Sequence, residues 1–306
     1  MTLRQTQGER ESRCGLVAVI GAPNAGKSTL VNQLVGQKVA ITSAKAQTTR
    51  ARMLGIALHG DTQMILVDTP GIFAPKRRLD RAMVSAAWEG AESADAVLLL
   101  VDPIKQRRHE LEPLVEALKD RPERKILVLN KVDVAKKEPL LALAQELGEK
   151  VEFSEVYFVS ALTGDGVPEM KQALADLMPE GPWMYPEDQV SDASERLLAA
   201  EITREQLYQQ LHEELPYDSA VRPEKYIQRK DGSVEIHQQI VVMRDNQRAI
   251  VLGKGGSRIK AIGQAAREEL SELLGQKVHL FLHVKTDERW SEDKEMFEEM
   301  GLDWTR

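Results

Sequence analysis

The segment Gly21-Ala-Pro-Asn-Ala-Gly26-Lys27-Ser28 follows the apolar run LVAVI (16–20) without a break and leads into a helix-forming stretch, Ser28 to Leu34. A short β-branched run, a glycine-bounded loop and a hydroxyl opening a helix make the strand–GxxxxGK[ST]–helix unit. Its residue types carry the chemistry. Glycines let backbone N–H groups approach phosphate oxygens, and the helix N-terminus adds positive dipole. Lys27 supplies charge to β and γ phosphates, and the Ser28 hydroxyl can ligate Mg²⁺. The phosphate site is therefore assigned to Gly21, Ala22, Pro23, Asn24, Ala25, Gly26, Lys27, Ser28 and Thr29. A chance match in a βα turn is the competing reading, and the strand before and helix after argue against it.

Further runs repeat the strand pattern: QMILVD (63–68), AVLLLVD (96–102), KILVLN (125–130) and VYFVS (156–160), with helical stretches between them. Such alternation predicts a mostly parallel sheet covered by helices on both faces. ARMLGIALHGDTQMILVD reads as two strands about a tight turn at His59-Gly60-Asp61, which makes one strand antiparallel. A helix at Pro168 to Leu177 closes this unit, and MPEGPWMYPED (178–188), with three prolines and a glycine, reads as a linker. Beyond it the order is helix (194–214), strand (219–228), turn at Lys230-Asp231-Gly232, strand (234–243), helix, glycine loop, helix (257–274) and strand (277–285), an α+β pattern. Trp290 to Trp304 places Phe297, Met300 and Trp304 at helical spacing, an amphipathic tail expected to pack on its own domain. The expected division is a polar extension 1–13, a first domain 14–178, a linker 179–192, a second domain 193–286 and an acidic tail 287–306. At 306 residues two domains are the natural partition.

Two motifs lie at later strand ends, where ligands of open α/β sheets gather. In Asp68-Thr69-Pro70-Gly71 an aspartate can hold Mg²⁺ through water, and Gly71 can give its N–H to a γ-phosphate. In Asn130-Lys131-Val132-Asp133 the Asp133 carboxylate can accept two hydrogen bonds from N1–H and the 2-amino group of guanine. Adenine would leave that carboxylate desolvated and unpaired. Backbone N–H groups of Ser160, Ala161 and Leu162 could meet the guanine carbonyl. Alone, each motif is ordinary loop chemistry; in this order the set is specific.

Together these motifs resemble the G domain of translation-factor-class GTPases over residues 15 to 178. The resemblance implies Gly21 to Ser28 on phosphate and Mg²⁺, Asp68 to Gly71 on Mg²⁺ and the γ-phosphate, Asn130, Lys131 and Asp133 on guanine, and Ser160 to Leu162 supporting the base. It also implies a switch threonine between the loop and Asp68. Gln47-Thr48-Thr49-Arg50 is the candidate, with Thr49 preferred for Mg²⁺ and Thr48 close behind. Ile72 stands where small signalling GTPases carry a water-orienting glutamine. Asn24 matches the asparagine that helps hold K⁺ against the phosphates in related GTPases, which implies slow hydrolysis stimulated by K⁺.

Gly253-Lys254-Gly255-Gly256 places a GxxG loop between two helices, with Ile259 and Ile262 after it. A flexible helix–helix turn is the plain alternative. The surrounding α-β-β-α-α-β order resembles a KH domain, in which the glycine loop clamps about four nucleotides of single-stranded RNA. The whole-chain charge is −7, which by itself discourages a nucleic-acid partner. Segment counts say otherwise: residues 244–267 hold Arg244, Arg248, Lys254, Arg258, Lys260 and Arg267 against Asp245, while 286–306 hold three basic and eight acidic residues. A local basic patch surrounds the loop, and the acidic tail hides it in the sum. His237, His279 and His283 read as strand residues, not as metal ligands.

The full arrangement, an α/β P-loop GTPase domain (a mostly parallel six-stranded sheet with one antiparallel strand) followed by a smaller α+β KH-type domain, resembles the Era GTPases, assembly factors of the bacterial small ribosomal subunit. That resemblance implies binding near the 3′ end of 16S ribosomal RNA in the 30S subunit, with nucleotide state controlling RNA affinity. GTP would order segments 37–52 and 71–90. It also implies a cytoplasmic monomer with peripheral contact at the inner membrane. The single cysteine, Cys14, fits a reducing compartment, residues 1–13 lack a signal peptide's apolar run, and no stretch approaches the length that spans a bilayer. Two other classes stay open. One is an ATPase or kinase with a structural C-terminal module, against which NKVD speaks; the other is a membrane-associated GTPase whose second domain binds protein.

Overall fold

The run LVAVI forms the middle of a sheet because it is apolar on both faces, and only a strand with helices above and below can bury both. The computed structural model describes residues 12–304 other than 44, 46, 47, 51, 52, 74, 76, 105–107, 213, 214 and 301. Gln47 of the switch tetrad and residues 1–11 of the polar extension therefore lie outside the described residues. The first unit runs β1 (Arg13–Ile20), α1 (Lys27–Val35), β2 (Met53–His59), β3 (Thr62–Asp68), α2 (Arg78–Glu92), β4 (Ala96–Val101), α3 (Arg108–Lys119), β5 (Arg124–Leu129), α4 (Lys137–Gly148), β6 (Glu155–Phe158) and α5 (Val167–Leu177). Strand order is β2-β3-β1-β4-β5-β6, parallel throughout except for β2 against β3. Helices α1 and α5 cover one face through Leu30, Leu34, Met170 and Leu174, and α2, α3 and α4 cover the other through Ala87, Leu114 and Leu147. Because β1 lies between β3 and β4, strand order reverses beside it, and the crevice at its C-terminal end is where a ligand can enter.

The second unit runs α6 (Glu195–Gln210), β7 (Ser219–Gln228), β8 (Val234–Val242), α7 (Asp245–Leu252), α8 (Ser257–Leu273) and β9 (Val278–Thr286), followed by α9 (Lys294–Glu299). β7 pairs antiparallel to β8, and β8 pairs parallel to β9. Helices α6 and α8 bury Ala199, Ile202, Ala266 and Leu270 against Val234, Ile236 and Val278. The Ser194 side chain caps α6 by accepting from Leu197 N–H at 3.2 Å. Every residue from Ala199 to Tyr208 is buried, including Glu201, Thr203, Arg204, Glu205 and Gln206, because the first unit packs on the face of α6 that the sheet leaves open.

Two segments behave differently from expectation. The proline-rich stretch read as a linker is a fixed strap. Cys14 N–H donates to the Pro179 carbonyl at 3.1 Å and Ile56 N–H to that of Val190 at 2.8 Å, while Trp183 Nε1 donates to the Asp61 carbonyl at 3.0 Å. β2 is the edge strand, and the strap takes up donors that an open edge would leave exposed. The tail expected to pack on its own domain instead joins both units. Trp290, Met296, Phe297 and Leu302 form one core with Leu79, Ala82 and Met83 of α2 and with Ala220 and Val241 of the second sheet. Arg78 lies 4.6 Å over the Trp304 ring, and Trp304 meets Phe297 edge-on at 4.8 Å. Phe297→Ala should therefore cost about 3–5 kcal/mol. Denaturant unfolding read by tryptophan fluorescence should show its first transition at markedly lower denaturant, and an unmoved midpoint would contradict this packing.

Candidate functional site

Gly26 closes the phosphate loop with φ of 101°, and a Cβ there would stand 2.3 Å from Asn130 Nδ2, so both its conformation and the close approach require glycine. Asn24 at the loop apex is exposed and also left-handed, φ 65°, a conformation asparagine tolerates. Lys27 is buried, and its Nζ donates to the carbonyls of Gly21 and Ala22 at 3.2 and 3.1 Å. Burial lowers its pKa to about 8, partly opposed by the charge of Asp68. The loop thus holds its cation inward, under the crevice that Pro23, Asn24, Gly26, Ser28, Thr29, Thr48 and Thr49 line.

Three oxygens meet beneath that crevice. Ser28 Oγ lies 2.7 Å from Thr49 Oγ1 and donates to Asp68 Oδ2 at 2.8 Å, and Thr49 Oγ1 donates to the same oxygen at 3.3 Å. Thr48 takes no part in this cluster: its hydroxyl donates to the Lys45 carbonyl at 2.8 Å. Asp68 is fully buried, and its Oδ1 has no hydrogen-bond partner. A buried carboxylate oxygen without a partner is costly unless a cation or its water supplies one. Two hydroxyls and a carboxylate are hard oxygen donors of the kind Mg²⁺ takes. Ser28, Thr49 and Asp68 are therefore the residues that would hold Mg²⁺, which in this setting neutralises charge on bound phosphates. Thr69 Oγ1 donates to the Val19 carbonyl at 2.7 Å, Pro70 is buried, and Ile72 N–H donates to the Gly21 carbonyl at 3.1 Å. These bonds fasten the Asp68–Ile72 turn, Gly71 included, to β1 and the phosphate loop. The Ile72 side chain packs with Ile20, Ala22 and Ala87 and has no group with which to orient water.

The NKVD segment braces the same loop. Asn130 Nδ2 donates to the Ala25 carbonyl at 2.8 Å, while its Oδ1 accepts from Ala161 N–H at 2.9 Å, so one side chain joins the phosphate loop to the Ser160–Leu162 loop. Ser160 N–H donates to the Asp165 carbonyl at 2.9 Å. Lys131, left-handed with φ of 64°, reaches the Asn24 carbonyl at 3.1 Å and Asp102 Oδ2 at 2.5 Å. Asp133 and Leu162 are exposed at the rim. Of the six residues assigned to guanine from sequence, Asn130 and Lys131 bind loops together, Ser160 and Ala161 are buried with their N–H groups spent on Asp165 and Asn130 instead of facing a base, and Asp133 and Leu162 face outward. Asp102, the anchor of Lys131, was not singled out from the sequence. Its signal was a carboxylate ending the run AVLLLVD.

In the second unit the GxxG loop links α7 to α8. Gly255 and Gly256 have φ of 61° and 77°, and a Cβ on either would meet nothing within 4 Å, which leaves open space for another chain's backbone. Lys254, Lys260, Arg244 and Arg248 are exposed around it, whereas Arg258 is half-buried, its Nη1 donating to the Gln210 carbonyl at 3.2 Å. Beside the loop, Ile259 and Gly263 of α8 face Leu280 and Leu282 of β9 across a groove flanked by Lys260 and Arg267. An apolar floor between cations suits unstacked bases on a phosphate backbone. His237 stacks on Phe281 at 4.7 Å and contacts Glu235 at 2.6 Å, while His283 contacts Gln239 at 2.9 Å.

Fold and site define a P-loop GTPase joined to a KH domain. Residues 16–131 match the family model described as 50S ribosome-binding GTPase, and residues 214–291 match the KH domain model. The chain is 84% identical over 302 residues to GTPase Era of Erythrobacter litoralis, covering 97% of this chain and 99% of that one. It is 54% identical to GTPase Era of Bradyrhizobium sp. (strain ORS 278), with both chains covered in full. Among solved structures it is similar to Era in complex with MgGDPNP and nucleotides 1506–1542 of 16S ribosomal RNA: TM-score 0.89, 37% identity, 95% of this chain and 99% of that one. A variant of Aquifex aeolicus Era bound to GDP·AlF4⁻ gives TM-score 0.88 at 37% identity, over 94% and 99% of the two chains. The chain belongs to the Era family of GTPases.

Burial raises the Asp68 pKa to about 6, against the lowering effects of Lys27, Ser28 and Thr49. A raised carboxyl pKa means that the fold favours the protonated form. Without the ion, this group's contribution to stability therefore falls as pH rises from 3.8 through about 6. Protons and Mg²⁺ would compete for the same oxygens. Mg²⁺ affinity measured by calorimetry should weaken about tenfold per pH unit below about 6 and level off above it, and Asp68→Asn should abolish that slope. A wild-type affinity flat from pH 5 to 7 would contradict the assignment.

Proposed function

We propose that this chain is a Mg²⁺-dependent GTP-hydrolysing switch whose KH domain binds 16S ribosomal RNA near its 3′ end and assists assembly of the 30S subunit. The observation that carries this reading is the match over both domains to Era holding MgGDPNP and a 16S fragment. The chemistry agrees with it. Gly21 to Thr29 would take the phosphates, Ser28, Thr49 and Asp68 the metal, and Asp133 the guanine edge. Gly253, Lys254, Gly255, Gly256, Arg258, Lys260, Arg244 and Arg248 would form the RNA site. GTP would order the switch segments and hydrolysis release them. We further assign the protein to the cytoplasm as a monomer, with peripheral contact at the inner membrane face. Among the described residues, no helix is long and apolar enough to cross a membrane.

Crosslinking in cells with sequencing of the bound RNA tests the partner. The 3′ end of small-subunit ribosomal RNA should be enriched, and Lys254→Glu should remove most of that enrichment by placing a negative charge against phosphate. Recovery of other RNAs, or of none, would refute the ribosomal assignment while leaving the GTPase intact.

Hydrolysis should be slow and stimulated by K⁺. Among the described residues lining the phosphate crevice, Lys27 is the cation, and neither arginine nor glutamine occurs there. Ile72 supplies no group to orient water, while Asn24 presents an exposed amide at the loop apex. Its amide oxygen would contribute to a K⁺ site beside the phosphates. Turnover should be several-fold faster in K⁺ than in Na⁺, and Asn24→Ala should erase the difference. Equal rates in the two salts for the wild type would end this assignment.

A further inference from the structure

Thr49 is held from behind by the second unit on both sides. On one side, the Thr48 carbonyl accepts from Nη2 of Arg204 in α6. Arg204 is 2% exposed and is fixed by Glu201, Nε to Oε1 at 2.8 Å. On the other side, the Arg50 guanidinium crosses into the second unit. Its Nη1 donates to the Ser219 carbonyl at 2.7 Å. Its Nη2 donates to the Tyr208 hydroxyl at 3.1 Å and to the carbonyls of Pro216 and Tyr217 at 3.2 and 2.9 Å. The Trp290 ring lies 5.6 Å from the guanidinium carbon.

Arg50 is 2% exposed, and every acceptor just named belongs to the second unit. A guanidinium removed from water requires such acceptors, and an arginine's forked donors can serve several at once. Separation of the units would strip Arg50 of all of them. Thr49 sits between the two ties with its hydroxyl 2.7 Å from Ser28 Oγ. Three other described residues before Thr49 are attached in the same direction. Lys38 pairs with Glu205 and Glu269, Thr42 N–H donates to Glu205 Oε1 at 2.9 Å, and Lys45 donates to the carbonyls of Tyr208 and Leu211.

We propose that Arg50 is a positioning residue through which the docked KH domain holds Thr49 closed on the metal site, so that docking and Mg²⁺·GTP binding favour each other. This rests on the reading of the first unit as a GTPase. GDP lacks the γ-phosphate that a closed switch loop meets, so the coupling appears as a preference for GTP over GDP and is reciprocal between the two sites.

The test uses the full chain with Mg²⁺, comparing affinities for a non-hydrolysable GTP analogue and for GDP by calorimetry. Arg50→Ala should reduce the analogue-to-GDP affinity ratio about tenfold, with GDP affinity held at the wild-type value. Arg50→Lys should lose nearly as much, because a single ammonium cannot reach acceptors spread over Tyr208, Pro216, Tyr217 and Ser219. Tyr208→Phe removes one acceptor and should shift the ratio less, in the same direction, which keeps the test decisive if Arg50→Ala does not fold. Folded variants with a wild-type ratio would overturn the role of Arg50. A wild type that binds neither nucleotide would instead overturn the GTPase reading on which it rests.

Discussion

A carboxylate at the buried end of a parallel strand is the constraint around which the molecule is arranged. Asp68 is fully buried, uses one oxygen on Ser28 and Thr49, and leaves the other without a partner. Three separate segments, the loop after β1, the stretch before β2 and the end of β3, must meet to place those side chains. They can meet only where strand order reverses beside β1. The rest of the first unit is bracing for that meeting. Asn130 and Lys131 tie down the phosphate loop, Thr69 and Ile72 tie the turn after β3 to it, and Asp102 anchors Lys131.

The second constraint is the junction between the two units. Helix α6 is polar in sequence yet buried along most of its length, because it lies between the KH sheet and the switch loop. Its C-terminal carbonyls are shared: Lys45 reaches those of Tyr208 and Leu211, while Arg258, the first cation after the GxxG glycines, reaches that of Gln210. One helix end is thus touched by the loop that carries Thr49 on one side and by α8 on the other. Cations at a helix C-terminus are favourable in any case. Here they also join the loop that carries Thr49 and the helix that follows the GxxG glycines to one helix end. The tail adds a second seam, with Trp290 and Phe297 burying the start of α2, which follows the Asp68–Ile72 turn.

The parts legible in the sequence are those whose chemistry demands fixed residue types at fixed places. The phosphate loop must follow a strand and open a helix, and the glycine loop must sit between helices; both lie where their flanking runs indicate. The strands could be read because Leu98, Leu99 and Leu100 have no polar neighbour to turn outward. The junction was not legible. Glu201, Arg204 and Glu205 on α6 have the pattern of a solvated helix face, and only the approach of residues far away in sequence makes them interior. Arg50 stood in the switch tetrad, yet nothing in its neighbours says that its guanidinium leaves its own domain. Prolines in 178–188 suggested looseness, but proline also suits a strap that lies along a sheet edge and needs few donors of its own. Net charge misled for a related reason: the acidic residues gather in the tail and the basic ones around the loop, so their sum describes neither surface.

The central claim is that one chain joins a guanine-nucleotide site to an RNA site so that each senses the other. Linkage makes this measurable from the nucleotide side alone. Affinity for a non-hydrolysable GTP analogue with Mg²⁺ should be determined with and without a saturating single-stranded fragment from the 3′ end of 16S ribosomal RNA. The account predicts that the fragment tightens analogue binding and leaves GDP binding much less affected. Equal affinities for the analogue in the presence and absence of RNA would contradict it.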